Sequence, residues 1–352
     1  MNLALDGHKL IYHMGPLNRW LKGERIFPVY CAISVTDSCN YSCIFCVYDS
    51  LKRKKKFLDM GRSLKIIREL ADNGLKGLFF SGEGEPLIHP NIVDFITRSR
   101  RAGVECALNT NGFFLTQKMS RQLLKSLTFM RVSINGCNPK NYQKIHMATP
   151  EAYGRVIRNL ADAVKVRKEE GLTTTIGVQC IILKENIGLI GGLADDLMDA
   201  GVDYLSLKPF LPIGTTTYRT AIDMEDGRTV SLLKRWEKKS TDRFRVIVRW
   251  GSLAKFKART YDRCLSLPFM IEIDSKGDVY PCGVLLGNKK FSCGNIYLQE
   301  YRQIMESPRY ARVMKNIQTK LDVHKCMPNC RNDAVNRFLW SLKYPPEHLN
   351  FI

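Results

Sequence analysis

The feature that most constrains the fold is a repeating alternation of short apolar strands and amphipathic helices. Strand-like runs cover residues 29–35 (VYCAISV), 77–80 (GLFF), 105–108, 129–134 (FMRVSI), 174–183 and 204–207. Between them, helical faces recur at i, i+3, i+4 spacing: Leu64, Ile67, Leu70 and Ala71; Tyr153, Val156, Ile157, Leu160 and Val164; Ile190, Leu193, Ala194 and Leu197. Gly74, Gly103, Gly171 and Gly201 each follow a helical stretch, where a left-handed residue ends a helix at least cost. Strand–helix–Gly–strand units predict an α/β fold with a parallel sheet, wound one way by right-handed crossovers. Six units are too few to close an eight-stranded barrel, so a partial barrel open on one side is expected. Its ligand groups should gather where strands end and helices begin.

The pattern breaks after residue 212. Residues 213–220 (IGTTTYRT) read as a linker, 226–239 as a helix, and 244 onward as short strands, a hairpin at Lys276–Gly277 and late helices. The expected organisation is therefore an N-terminal extension (1–27), a barrel core (28–212), a linker with a helix (213–243) and a small α+β domain (244–352).

Cysteine usage narrows the chemistry. Of twelve cysteines, Cys31, Cys106, Cys137, Cys180 and Cys293 stand apart, as small buried residues often do. The others cluster. The segment CNYSCIFC puts Cys39, Cys43 and Cys46 on the loop leaving the first strand. Three thiolates can hold three irons of a cubane and leave the fourth open. A zinc loop is the alternative, and it wants a fourth protein ligand. Later, Cys264-x12-Gly277-x4-Cys282 precedes Cys326-x3-Cys330, and a hairpin would draw the flanks of the first pair together. Four cysteines suit either a cubane or zinc.

The first loop, with Phe45 before its last cysteine, resembles the signature of the radical S-adenosylmethionine (SAM) superfamily, over roughly residues 28–212. That resemblance implies a partial (β/α)6 barrel, a [4Fe–4S] cluster on Cys39, Cys43 and Cys46, and SAM chelated to the open iron. It also implies roles for other positions. Gly82, Glu83, Gly84 and Glu85 in SGEGEP look like the family's glycine- and glutamate-rich SAM loop, although such a loop alone is only a turn. Asn109, Thr110 and Asn111 after the third strand, and Ser133 and Asn135 after the fourth, resemble ribose and carboxylate contacts, or are simply caps and Asx turns. Gln179 and Lys208 on strands five and six are candidates for SAM or substrate contact, or cap barrel layers. Asn135 stands where many relatives carry Asp, and no Arg lies near His146, which leaves the SAM carboxylate without an assigned partner.

The second cysteine set resembles the auxiliary-cluster domains called SPASM and Twitch. Four matching cysteines, with Cys293 unmatched, imply the shorter Twitch form: one auxiliary [4Fe–4S] cluster held by Cys264, Cys282, Cys326 and Cys330. The implied activity is cleavage of SAM to a 5′-deoxyadenosyl radical that takes hydrogen from a substrate. A sugar, aminocyclitol or nucleotide-linked sugar is expected, in an alcohol dehydrogenation or an epimerisation. Cys137, just past the fourth strand, is the candidate hydrogen donor for the latter, or else a packed thiol. Peptide modification is the second class, against which residues 1–27 look too short for a leader-binding domain. RNA modification is the third; no interleaved basic–aromatic signature supports it.

A net charge of +20 points to an anionic partner. The run at residues 52–56 (KRKKK) is either a solvated face or an attractor for a phosphorylated substrate. Nucleic acid is not the expected partner. A flavodoxin- or ferredoxin-type reductant is. The absence of a signal-peptide pattern or a ~20-residue apolar span leads to an expectation of a cytoplasmic enzyme.

Overall fold

The computed structural model describes residues 8–48, 54–210, 216–220, 222–251, 259–327, 330–348 and 350. Residues 52 and 53 of the basic run and 213–215 of the linker lie outside them. The strands are β1 (Tyr30–Ile33), β2 (Gly77–Phe80), β3 (Glu105–Thr110), β4 (Leu127–Ser133), β5 (Thr175–Ile182), β6 (Tyr204–Pro209), β7 (Arg245–Val248), β8 (Met270–Ile273), β9 (Asp278–Tyr280) and β10 (Gly294–Asn295). β1 to β6 pair in chain order, all parallel. Helices Met60–Asp72, Ile92–Arg101, Gln117–Leu123, Ala152–Glu169 and Ile190–Ala200 fill the crossovers. This is the expected partial (β/α)6 barrel. Gly74, Gly103, Gly171 and Gly201 all have φ between 61° and 93°, as helix-ending glycines should.

The sheet continues beyond six strands at both edges. β7 pairs parallel to β6, and β8 pairs parallel to β1 and antiparallel to β9. The result is one ten-stranded sheet, β10-β9-β8-β1-β2-β3-β4-β5-β6-β7. The late hairpin thus covers the free edge of β1, where unpaired N–H and C=O groups would otherwise lie exposed.

Packing ties this late segment to the first crossover helix. Arg62 donates to the carbonyls of Ile296 and, at 2.6 Å, Gln299, and the Tyr301 N–H donates to Glu69 at 2.6 Å. Leu10, Leu17 and Ile26 of the N-terminal extension pack with Leu265, Phe269 and Leu339. Both ends of the described chain therefore share one small core beside the barrel.

Candidate functional site

The cysteine loop is closed at its base by short-range chemistry. Thr36 bridges Phe57, its hydroxyl donates to the Lys56 carbonyl at 2.6 Å, and Asp37 accepts the N–H groups of Lys54 and Lys56. Its tip is turned by Cys46 N–H to the Cys43 carbonyl at 3.0 Å, and Ile44 N–H reaches the Ile145 carbonyl. Cys39, Cys43 and Cys46 thereby line a cavity of about 310 Å³ at the C-terminal ends of the parallel strands. Phe45, Gly82, Glu83, Gly84, Glu85, Asn109, Thr110, Asn111, Ser133, Asn135 and Lys208 line it too. Two expected residues do not. Gln179 lies on β5, in register with Ser133 and Ser206, outside this cavity. Cys137 is buried in the core with its sulfur 4.0 Å from the Asn186 carbonyl and Cys180 as its thiol neighbour, so it does not face the cavity.

The glycine–glutamate loop works differently from the way its composition suggests. A Cβ on Gly84 would come within 2.3 Å of the Ser38 carbonyl and 2.7 Å of that of Thr36. Its glycine is needed for close approach to the cysteine loop, an approach also sealed by Glu85 N–H to Ser38 O at 2.8 Å. The two carboxylates are engaged by protein donors. Glu85 accepts from Thr110 Oγ1 at 2.5 Å, Asn111 N at 2.6 Å and Leu87 N at 3.0 Å; burial nevertheless pushes its pKa up to about 6. Glu83 accepts from the Ser275 N–H at 2.8 Å, clamping the late hairpin to this loop.

Asparagines brace the rest. Asn111 Nδ2 donates to Asn40 Oδ1 at 2.8 Å, holding the cysteine loop, while Asn109 accepts from Arg131 Nε. Asn135 Oδ1 accepts from Ile181 N–H and its carbonyl from Asn186, but its Nδ2 is buried without a partner at the cavity wall. An unpaired buried amide donor costs about 1–3 kcal/mol, which a bound acceptor would recover. His146, which sequence reasoning passed over, also lines the cavity, its Nδ1 3.2 Å from Cys43 Sγ. Burial pushes its pKa down to about 3. Its placement was hinted at by Asn138–Pro139, a cap and first-turn pair that begins the helix Pro139–His146.

Members of the second cysteine set lie within electrostatic reach of one another in pairs. Mutual electrostatic influence links Cys264, Cys326 and Cys330, and Cys282 with Cys330. Asn332 N–H points at Cys330 Sγ at 3.4 Å and Asn336 Nδ2 at Cys264 Sγ at 3.6 Å. Burial pushes Cys282 up to about 12 and Cys330 up to about 11, so ligation there must release protons. Cys293 lies elsewhere, buried under the Phe291 carbonyl. Among the described residues no three Cys, His, Asp or Glu side chains converge as ligands of a single ion do. A cubane takes each thiolate on a different iron and spreads its ligands more widely.

A family model of the radical SAM superfamily matches residues 33–187, and one of the SPASM iron–sulfur cluster-binding domain matches residues 264–332. The chain carries a radical SAM domain followed by a SPASM domain. The radical SAM domain implies a [4Fe–4S] cluster and SAM, and the SPASM domain implies auxiliary iron–sulfur chemistry. The residues fit both groups: three cysteines around one cavity with an unsatisfied amide donor at its wall, and four cysteines, two of which, Cys264 and Cys330, have an N–H group aimed at sulfur.

Among characterised relatives, a tungsten-containing aldehyde ferredoxin oxidoreductase cofactor-modifying protein of Pyrococcus furiosus is 26% identical over 205 residues, 55% of this chain and 56% of its own. A GTP 3′,8-cyclase of Stenotrophomonas maltophilia is 27% identical, covering 53% of each chain. A dTDP-4-amino-4,6-dideoxy-D-glucose ammonia-lyase of Streptomyces venezuelae is 26% identical, over 55% of this chain and 42% of its own. The chain thus spans about half the length of the curated relatives it matches. In fold it is similar to Streptococcus suis SuiB bound to SAM, with TM-score 0.66 and 18% identity over 84% of this chain and 70% of that one. It is also similar to anSMEcpe with bound SAM, with TM-score 0.60 and 17% identity over 82% and 80%. Among the described residues no helix is long and apolar enough to cross a membrane.

Proposed function

We propose that this radical SAM enzyme cleaves SAM reductively at the Cys39–Cys43–Cys46 site and directs the 5′-deoxyadenosyl radical to a sugar, aminocyclitol or nucleotide-linked sugar. The observation that carries this reading is the cavity itself, which joins three thiol ligands to polar strand ends at the mouth of the barrel. When bound, the first cluster supplies the electron that breaks the SAM C5′–S bond, and a single cubane on Cys264, Cys282, Cys326 and Cys330 supplies an electron acceptor.

The chain's own residues do the rest. The carbonyls of residues 82–85 accept from the SAM ammonium, and the free Asn135 Nδ2–H donates to its carboxylate. Asn111, Thr110 and Glu85 keep the cysteine loop and the SAM loop in register. Lys208, at the end of β6, gives the cavity a cation suited to an anionic substrate. The charge of +20 favours the same class, and a flavodoxin- or ferredoxin-type protein, being acidic, suits that surface as reductant. Two of the relatives named above carry a nucleotide or a nucleotide-linked amino sugar in their names. Oxidation of a carbinol carbon removes a hydrogen atom to the adenosyl radical, then one electron and one proton, leaving a ketone. Epimerisation needs a hydrogen-atom donor instead, and Cys137 is turned away from the cavity. Dehydrogenation is therefore the reading the geometry favours.

A peptide substrate is the competing reading, because the similar fold of SuiB has been seen bound to its precursor peptide. Anaerobically reconstituted protein should hold about eight irons, from two cubanes, and release 5′-deoxyadenosine from SAM on reduction. Replacing Cys39, Cys43 and Cys46 together by Ala should leave about four irons and no cleavage. Unchanged iron, or cleavage at the parental rate by Cys43→Ala, would refute the site. Mass spectrometry of nucleotide-sugar, cyclitol and peptide panels then decides the substrate class.

A further inference from the structure

His146 is 1% exposed and ends the helix Pro139–His146 just before Met147, whose φ of 51° stops the helix. Gly136 lets this helix approach the end of β4: a Cβ there would lie 2.1 Å from Tyr142 Cα. The approach brings the imidazole back to residue 135. The ring stacks on Tyr142, with centroids 4.1 Å apart and planes at 24°, and Phe45 meets it edge-on at 6.0 Å. It is therefore held in one orientation.

That orientation decides which nitrogen carries the proton. The backbone N–H of Asn135 lies 3.0 Å from Nε2. An amide N–H can only donate, so Nε2 is the acceptor and bears no hydrogen. A neutral imidazole has a single N–H, which is then at Nδ1, 3.2 Å from Cys43 Sγ. Were Cys43 to donate to Nδ1 instead, the proton on Nε2 would be forced against the Asn135 N–H.

We infer that His146 is a positioning residue that donates its Nδ1–H to the Cys43 sulfur and so raises the reduction potential of the SAM-site cluster. The inference rests on the ligation proposed above. Reduction adds a negative charge that spreads onto the cluster's sulfurs. A donor aimed at one of them stabilises the reduced form more than the oxidised form, and hydrogen bonds to sulfur are among the levers that set such potentials. Asn135 joins the two functions: its backbone orients the imidazole, while its side-chain donor faces the cavity.

The test uses the full reconstituted chain and follows the electron paramagnetic resonance signal that changes when SAM is added. H146F keeps the stacked ring and removes the donor; H146N puts an amide N–H near the lost Nδ1–H. With iron and sulfide content equal to the parent, H146F should bind its electron at least tenfold more weakly. That is a midpoint about 59 mV more negative for a one-electron couple. H146N should restore most of the difference. A parental potential in H146F, or an equal shift in H146N, overturns the inference. If H146F does not load iron, the parent labelled with 15N-histidine gives the answer. Coupling of the SAM-responsive signal to one histidine nitrogen and to one exchangeable deuteron is expected, and its absence overturns the inference. Iron retained at the SAM site by Cys43→Ala would instead overturn the ligation, so the two failures are distinguishable.

Discussion

Asp274, at the turn of the late hairpin, is 1% exposed, and its Oδ1 accepts the N–H groups of Lys276 at 2.9 Å and Asp278 at 2.8 Å. Burial, and next the neighbouring Glu83 carboxylate, push its pKa from an ordinary 3.8 up to about 7. Between those values the folded protein holds a proton that the unfolded chain has lost. Stability contributed by this group is therefore complete below about pH 4, falls as the pH rises, and is gone above about pH 7. At 1.36 kcal/mol per unit, full ionisation costs about 4 kcal/mol. Asp274→Asn keeps the Oδ1 acceptor and removes the charge, so it should stabilise the chain at neutral and higher pH. An unfolding entropy of about 2.1 cal/mol/K per residue over 352 residues converts 4 kcal/mol into about 5–6 °C of Tm. At pH 6 the gain shrinks to about 3 kcal/mol, or about 4 °C. Anaerobic circular dichroism melts of parent and variant at pH 6 and pH 8, at matched scan rates because unfolding of such a protein is commonly irreversible, measure both gaps. A variant that melts below the parent at pH 8, or a gap that does not widen between the two values, would refute the reasoning.

Two further outcomes follow from the same geometry. Gly84→Ala should displace the cysteine loop, because the new Cβ meets main-chain carbonyls that cannot rotate away. Overpacking of this kind costs about 1–3 kcal/mol. SAM-site iron should fall while auxiliary iron stays, whereas Gly192→Ala, with nothing within 4 Å of its Cβ, should keep both and gain up to about 1 kcal/mol; equal iron in the two variants would disprove the close-approach role. Removing Cys326 and Cys330 together should preserve some SAM cleavage but suppress ketone formation, provided circular dichroism shows a folded chain. Substrate oxidation at the parental rate without the second cluster would exclude its role as electron acceptor.

Local chemistry made much of this protein legible in one dimension. Period-two and period-3.6 apolar patterns depend only on a residue's near neighbours, so β1 to β6 and three of the crossover helices, Met60–Asp72, Ala152–Glu169 and Ile190–Ala200, were readable, and the glycines that end helices marked the boundaries. The same holds for CNYSCIFC, whose three cysteines line one cavity because only a few residues separate them, and for the Lys276–Gly277 turn of the hairpin between β8 and β9. β7 and β8 were legible as strands, but nothing in their composition says that one joins β6 and the other β1. Edge pairing is main-chain chemistry, indifferent to side-chain identity, and is decided by what else packs nearby.

The tertiary structure alone decided the roles inside the cavity. Glu83 and Glu85 line the cavity, and the fold also gives each a protein partner: a hairpin N–H 192 residues away for one and the β3 end for the other. Cys137 sits at the right end of the sheet, but the helix that Gly136 lets in turns its thiol toward Cys180. His146 meets Cys43 across 103 residues of chain. Sequence patterns report which groups a segment can offer, because propensity and spacing act over a turn or two. Which group a buried carboxylate or imidazole faces is settled only when distant segments pack, since each buried polar atom must then find its partner among whatever the fold has brought within about 3 Å.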